Sequence, residues 1–259
     1  WMDDGSPLRV YSQRVTDNLR SINHDVDFEF AMRYGNPSIR SGLEALKQRG
    51  VTDLLLLPMF PHYAQATTES SLKHAHLQLK AMNWSPNLLE MGHFETAEEF
   101  IGPLSESIRP HLTEDTHLLF SYHGLPVSHV KRIDRSKAHC QTVEACCTVK
   151  CEANSLCYGR HCNETTMAVV ERLGLKPDQW SLSYQSRLGP VKWLEPSTTQ
   201  MVEALVKKGV KKLAIVAPAF LADGLETLEE LDIGIREEFM EHGGTELKVI
   251  NCLNDDEQW

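Results

Sequence analysis

Short apolar runs alternate with amphipathic stretches along most of the chain. That order admits little besides right-handed βαβ units around parallel sheets, because a strand must cross over a helix to lie parallel beside the next strand. Strands are expected at 28–32, 53–58, 88–91, 116–121, 180–184, 212–217 and 246–252. Helices are expected at 37–49, 70–82, 97–112, 165–173, 198–208 and 225–242. Asn36-Pro37 should cap the first of these and Gly50 close it. The four leucines from Leu54 to Leu57 read as a parallel strand buried on both faces.

One segment occurs twice. Glu44-Ala45-Leu46-Lys47-Gln48-Arg49-Gly50-Val51 returns as Glu203-Ala204-Leu205-Val206-Lys207-Lys208-Gly209-Val210. Each copy leads into a leucine- or valine-rich strand and then Pro-x-Phe, at Pro58-Met59-Phe60 and Pro218-Ala219-Phe220. Any two helix–glycine–strand units share part of this, but the common order favours duplicated α/β domains with a cleft between them. We place them at 1–115 and 116–259. Ligands of such folds bind beyond the carboxyl ends of the strands, so chemistry is expected after Pro58, Ser121, Tyr184 and Pro218.

Charge and hydropathy narrow the function. The 259 residues carry 36 acidic and 26 basic side chains, a formal charge of -10. An acidic chain without a Lys/Arg block repels phosphates, which argues against nucleic acid as a partner. The longest apolar run, Leu54 to Phe60, is broken by Pro58 and falls far short of the roughly 18 residues of a spanning helix. Peripheral membrane contact stays open. The start at Trp1 shows no export signal, so the expected location is the cytoplasm, with or without membrane association. The termini read like those of a fragment missing material at both ends. P-loop, dinucleotide-fold and nucleophile-elbow glycine motifs are absent from the sequence.

Four strand ends carry unusual residues. His123-Gly124-Leu125-Pro126 sets an imidazole at a turn, where it can ligate Fe(II) or accept a proton near neutrality. After Pro218, Glu226 and Glu230 stand four apart on one helix face. They read either as a solvated acidic first turn matched to the helix dipole, which we accept for Glu229, or as carboxylates that metal or protons move along. Residues 58–71 place aromatics and hydroxyls where a flat apolar ligand could rest. Trp193 lies in a proline-bracketed loop, where exposed tryptophan marks a binding surface.

Together these segments resemble the ferrochelatases, which insert ferrous iron into a porphyrin to make haem. The resemblance rests on Gly5-Ser6-Pro7-Leu8, Met32-Arg33-Tyr34, Pro61-x-Tyr63 and Thr67-Thr68-Glu69-Ser70-Ser71-Leu72. It continues through Phe120-Ser121-Tyr122-His123-Gly124-Leu125-Pro126 and Gln185-Ser186-Arg187 with Gly189-Pro190 and Trp193-Leu194. It ends with Asp223-x-Leu225-Glu226-Thr227-Leu228-x-Glu230-Leu231-Asp232. It implies two similar Rossmann-like domains with parallel sheets and a cleft between them. His123 and Glu226 would face each other across that cleft and handle iron and the pyrrole protons. Glu230 and Asp232 would continue an acidic path for metal or protons. Arg33, Tyr34, Tyr63, Ser70, Gln185, Ser186 and Trp193 would bind the porphyrin, protoporphyrin IX first among the candidates. Three departures from the family pattern stand out: the strand and mobile lip expected upstream of Gly-Ser-Pro are missing, as is a final helix after Asn254, and Gly224 stands where some relatives carry His.

Five of seven cysteines fall between Cys140 and Cys157, with Cys162 close behind and Cys252 remote. In a reducing compartment disulfides are disfavoured, and thiolates around a compact loop suit a [2Fe-2S] cluster or structural zinc. The spacing matches no standard zinc knuckle. The sequence resembles bacterial ferrochelatases with an internal cysteine-rich insert, here about 136–162, which implies a [2Fe-2S] cluster. The expected ligands are Cys140, Cys147, Cys151 and Cys157, with Cys146 as substitute. Two other functions fit some of these residues: a chelatase for coproporphyrin or another tetrapyrrole and metal, and a porphyrin-binding redox sensor without catalysis.

Overall fold

The computed structural model describes residues 5–259, so Trp1 to Asp4 lie outside the described residues. The chain forms two compact units that divide between Phe94 and Glu95, some twenty residues before the 115/116 boundary expected from sequence. The intervening helix explains the difference, since Glu98 on it pairs with Arg172 of the second unit.

The first unit opens with α1 (Pro7–Ile22), which the sequence reading overlooked although Ser6-Pro7 is a helix-start signature. Helix α2 (Ile39–Gln48) follows, then strand β1 (Asp53–Leu56), a π-helical segment Gln65–Glu69, helix α3 (Ser70–Ala81) and strand β2 (Asn87–Glu90). Strands β1 and β2 pair in parallel, Leu54 opposite Leu88. Leu43, Leu46, Leu54 and Leu79 form the core between helices and sheet. The expected double-sided burial of the leucine run is corrected: Leu55 and Leu57 are exposed because the helices cover one face of this short sheet and successive side chains alternate. The expected strand at 28–32 is also absent; Met32 makes only an isolated bridge with Ser38.

The second unit contains α4 (Glu98–Ile108), β3 (Thr116–His123), α5 (Val127–Lys131), α6 (Tyr158–Leu173), β4 (Trp180–Gln185) and α7 (Thr198–Lys207). After these come β5 (Lys212–Val216), a π-helical segment Glu226–Ile235, α8 (Arg236–Glu241) and β6 (Glu246–Val249). The four strands run parallel in the order β4-β3-β5-β6. Six of the eight β3 residues are buried, as a central parallel strand requires. The expected α-helix at 225–242 is π-helical for its first ten residues.

The repeated segment is a structural repeat. Ser38 and Ser197 cap α2 and α7, their hydroxyls accepting from the N–H of Ser41 at 3.1 Å and Gln200 at 3.2 Å. Both are preceded by a cis proline, Pro37 and Pro196. Met32 N–H donates to Pro37 O and Tyr184 N–H to Pro196 O. Both helices end on a glycine at positive φ, Gly50 and Gly209, the conformation glycine adopts at least cost. Both strand ends then lead into a π-helical segment.

Candidate functional site

The ends of β3 and β4 hold His123 in place. His123 pairs with Gln185 across the ladder, and Gly124 N–H extends it by donating to Gln185 O at 2.8 Å. A Cβ at Gly124 would lie 2.7 Å from that oxygen, so only glycine permits the approach. The His123 Nδ1 atom sits 2.7 Å from Gly124 O, which can only accept, so Nδ1 carries a proton. A neutral ring so held presents the Nε2 lone pair. Phe220, from the repeated Pro-x-Phe turn, stands edge-on to the ring at 6.0 Å between centroids.

Gln185 joins the histidine to the π segment. It is buried, its Oε1 accepts from Ser121 Oγ at 2.7 Å, and its Nε2 donates to the Glu226 carbonyl at 3.0 Å. Gln185 thereby ties Glu226, half-buried at the start of the π segment that follows β5, to the neighbouring strand ends where His123 sits. A Cβ at Gly224 would come within 3.1 Å of Glu226 Oε2, so glycine leaves that carboxylate its space. Asp223 is a buried hub: its carboxylate accepts from Thr227 Oγ1, Cys252 N–H and Asn254 Nδ2.

The other two carboxylates are engaged. Glu230 accepts from Ser186 N–H at 2.6 Å and Ser186 Oγ at 2.5 Å. Ser186 has φ +62°, a left-handed backbone that this double contact holds. Asp232 pairs with Arg236 one turn on. The expectation of an exposed Trp193 is corrected: it is 8% exposed, bridges to Pro126, and donates from Nε1 to Leu188 O at 3.1 Å. Packing against the His-Gly-Leu-Pro loop buries it.

In the first unit Arg33, Tyr34, Tyr63 and Ser70 gather around the shorter π segment. Arg33 Nε donates to Ser70 Oγ at 2.9 Å, and its guanidinium lies 4.5 Å from the centre of the exposed Tyr34 ring. Tyr63 donates to Glu69 Oε2 at 3.0 Å. Burial, and then the Glu69 carboxylate, push the Tyr63 phenol up to about 12.

The cysteine insert is built rather than loose. The buried Asp134 carboxylate accepts from Ser136 N–H and Oγ and from the N–H groups of His139 and Cys140, which hold it well below the usual carboxylate range. Asn154, also buried, donates to Val149 O and Cys146 O and accepts from Cys151 N–H. Around these hubs the thiols of Cys146 and Cys147 lie 3.8 Å apart, and the Cys147 and Cys157 thiols are hydrogen-bonded. Cys140 is within electrostatic reach of Cys146 and Cys157. Cys151 instead sits 3.7 Å from His139 Nε2. The structure thus gathers Cys140, Cys146, Cys147 and Cys157, all free, a donor set that fits a four-thiolate iron–sulfur group. Asp134 and Asn154 have no signature in the sequence because most of their partners are backbone groups.

The ferrochelatase family pattern matches residues 1–259, the whole chain. The chain belongs to the ferrochelatase family. Similar members include ferrochelatases of Pseudomonas syringae pv. syringae, 39% identical over 260 residues, and Pseudomonas fluorescens strain Pf0-1, 40% over 261. Each alignment covers 100% of this chain and 76% of the relative. The ferrochelatase of Bdellovibrio bacteriovorus is 39% identical over 262 residues, with 77% of its length covered. Among solved structures, SirB from Bacillus subtilis with Fe3+ aligns at a TM-score of 0.67 and 12% identity, covering 98% of this chain and 87% of that one. That likeness supports the α/β chelatase fold with parallel sheets. No described helix is long and apolar enough to cross a membrane.

Proposed function

We propose that the chain inserts Fe(II) into protoporphyrin IX, forming haem and releasing the two pyrrole protons. The observation that carries this reading is the strand-end pair: His123 with Nε2 open, and Glu226 tied to the same strand end through Gln185. Imidazole is a borderline ligand and carboxylate a hard one, a combination that strips water from Fe(II) without retaining it. His123 Nε2 takes a pyrrole proton as base, and Glu226 offers the second acceptor. Porphyrin binding falls to Arg33, Tyr34, Tyr63 and Ser70 in the first unit and to Gln185, Ser186 and Trp193 in the second. Glu230 and Asp232 act here as supports, through Ser186 and Arg236, more than as a free carboxylate path.

A [2Fe-2S] cluster held by Cys140, Cys146, Cys147 and Cys157 is part of the same proposal, with Cys151 as the alternative to Cys146. Bound there it would supply a one-electron centre and a cross-link for the insert. The crowded free thiols suit a reducing compartment, the cytoplasm.

The test mixes the protein anaerobically with ferrous iron and protoporphyrin IX, beside His123→Ala. Loss of porphyrin fluorescence with a haem spectrum, missing in the variant, is the expected result. Tight binding without insertion would move the substrate to coproporphyrin, and failure there to a porphyrin-binding sensor. Visible absorbance with iron and acid-labile sulfide in anaerobically purified protein tests the cluster; their absence would remove it.

A further inference from the structure

The first residue of α6 reaches the strand end that carries His123. Tyr158 is buried, and its hydroxyl donates to the His123 carbonyl oxygen at 2.8 Å. The same hydroxyl is hydrogen-bonded to the buried thiol of Cys162. The other end of the His123–Gly124 peptide is its N–H, which donates to Gln185 O at 2.8 Å. One peptide unit is therefore gripped at both its oxygen and its hydrogen. The next carbonyl, Gly124 O, is the one that fixes the proton on His123 Nδ1. Rotation of the gripped peptide would carry Gly124 with it and release the ring from its tautomer.

Tyr158 directly follows Cys157, and Gly159 packs so close to Cys147 that a Cβ there would lie 3.0 Å from its sulfur. The thiol cluster and the histidine peptide thus share one short piece of backbone at the start of α6.

We infer that Tyr158 is a positioning residue: its hydroxyl locks the His123–Gly124 peptide and thereby ties the cysteine insert to the presentation of His123 Nε2. Its effect on catalysis rests on the chelatase reading. A ring-filling role alone would be met equally well by phenylalanine, which removes only the hydroxyl.

The experiment compares wild type, Tyr158→Phe and Tyr122→Phe as full chains under anaerobic conditions. Tyr122 is likewise a buried tyrosine, but its hydroxyl is hydrogen-bonded to Thr166 Oγ1 at 2.8 Å. With Fe(II) and protoporphyrin IX, Tyr158→Phe should lower kcat about tenfold, the effect of one lost hydrogen bond, with porphyrin Kd unchanged. Tyr122→Phe should keep kcat. In parallel, 13C-labelled histidine, with the His123 signal assigned from His123→Ala, reports the ring tautomer without any turnover. Wild type should show Nδ1–H, and Tyr158→Phe a mixture of tautomers, read well below the melting temperature of the variant. Wild-type kcat together with an unshifted tautomer in Tyr158→Phe overturns the inference. A shifted tautomer in a protein whose wild type inserts no iron would sink the chelatase reading and leave the positioning role standing.

Discussion

The two units build the same turn and load it differently. In the first, Pro58-Met59-Phe60 leads to a π segment bearing Thr67 and Thr68, with Ser70 opening α3; in the second, Pro218-Ala219-Phe220 leads to one bearing Glu226, Thr227 and Glu230. Thr68 and Thr227 are both buried, yet only Thr227 has its hydroxyl engaged, with Asp223 and Gly224. The Thr68 hydroxyl finds no hydrogen-bond partner among the described residues. A duplicated strand end can keep its backbone while one copy bears carboxylates and the other hydroxyls. Widening a helix to the π form admits both, because it sets successive side chains around a looser turn.

The comparison breaks first at catalysis. His123→Ala or Glu226→Gln should slow iron insertion by about 10²- to 10⁴-fold, the usual scale of a lost acid–base group, while porphyrin Kd holds. Tyr63→Phe, in the first unit's turn, should cost less than about tenfold in the same fluorescence assay. Equal losses would mean that the units do not divide the work.

The supporting contacts give the next effect. Glu230→Gln weakens a charged clamp on Ser186 and should lower stability to urea by about 1.5–3 kcal/mol. Ser70→Ala, which removes the Arg33 partner, should cost only about 0.5–1.5 kcal/mol. The threonines sharpen this further: Thr227→Val should cost about 1.5–3 kcal/mol by removing one of the three donors to the buried Asp223 carboxylate, whereas Thr68→Val should be nearly neutral. A reversed order in chemical melts would refute the assignment.

The cysteine insert is the largest asymmetry between the units, and it should respond to acid. Asp134 has its folded pKa depressed, chiefly by the Ser136 hydroxyl and then by the Cys140 N–H. Its contribution is therefore complete above the ordinary aspartate value of about 3.9 and is lost as pH falls through its lower folded value. Opening of the insert, followed by visible absorbance or thiol alkylation, should begin only below about pH 4. Asp134→Ala should open it at neutral pH.

Much of this organisation was legible in the sequence. The βαβ order, the repeat and its glycine closures come from periodicity and turn chemistry, and the observed strands fall within about two residues of most expected ones. Exposure was harder. Leu55 and Leu57 look like core because a run of leucines says nothing of which face a sheet leaves open. Trp193 looks like surface because its packing partner, Pro126, lies far away in sequence. The π segments were invisible, since one extra residue per hydrogen-bonded turn blurs a 3.6-residue period. Asp134, Asn154 and Tyr158 act largely through main-chain partners, which no side-chain motif records. The choice between Cys146 and Cys151 depends on a loop without regular period, where spacing carries no geometry.

The contact of Gly124 with Gln185 has a consequence for motion. Because the ladder runs past the end of β3, the His123 turn has no hinge of its own, and its amide is shielded like those of the central strands. Opening it requires peeling β3 from β4, an event that belongs with the slowest exchange of the unit rather than with loop breathing. Within this unit, any adaptation around the ring must then come from neighbouring side chains and from the wide turn beyond Pro218, while the imidazole stays as still as the sheet.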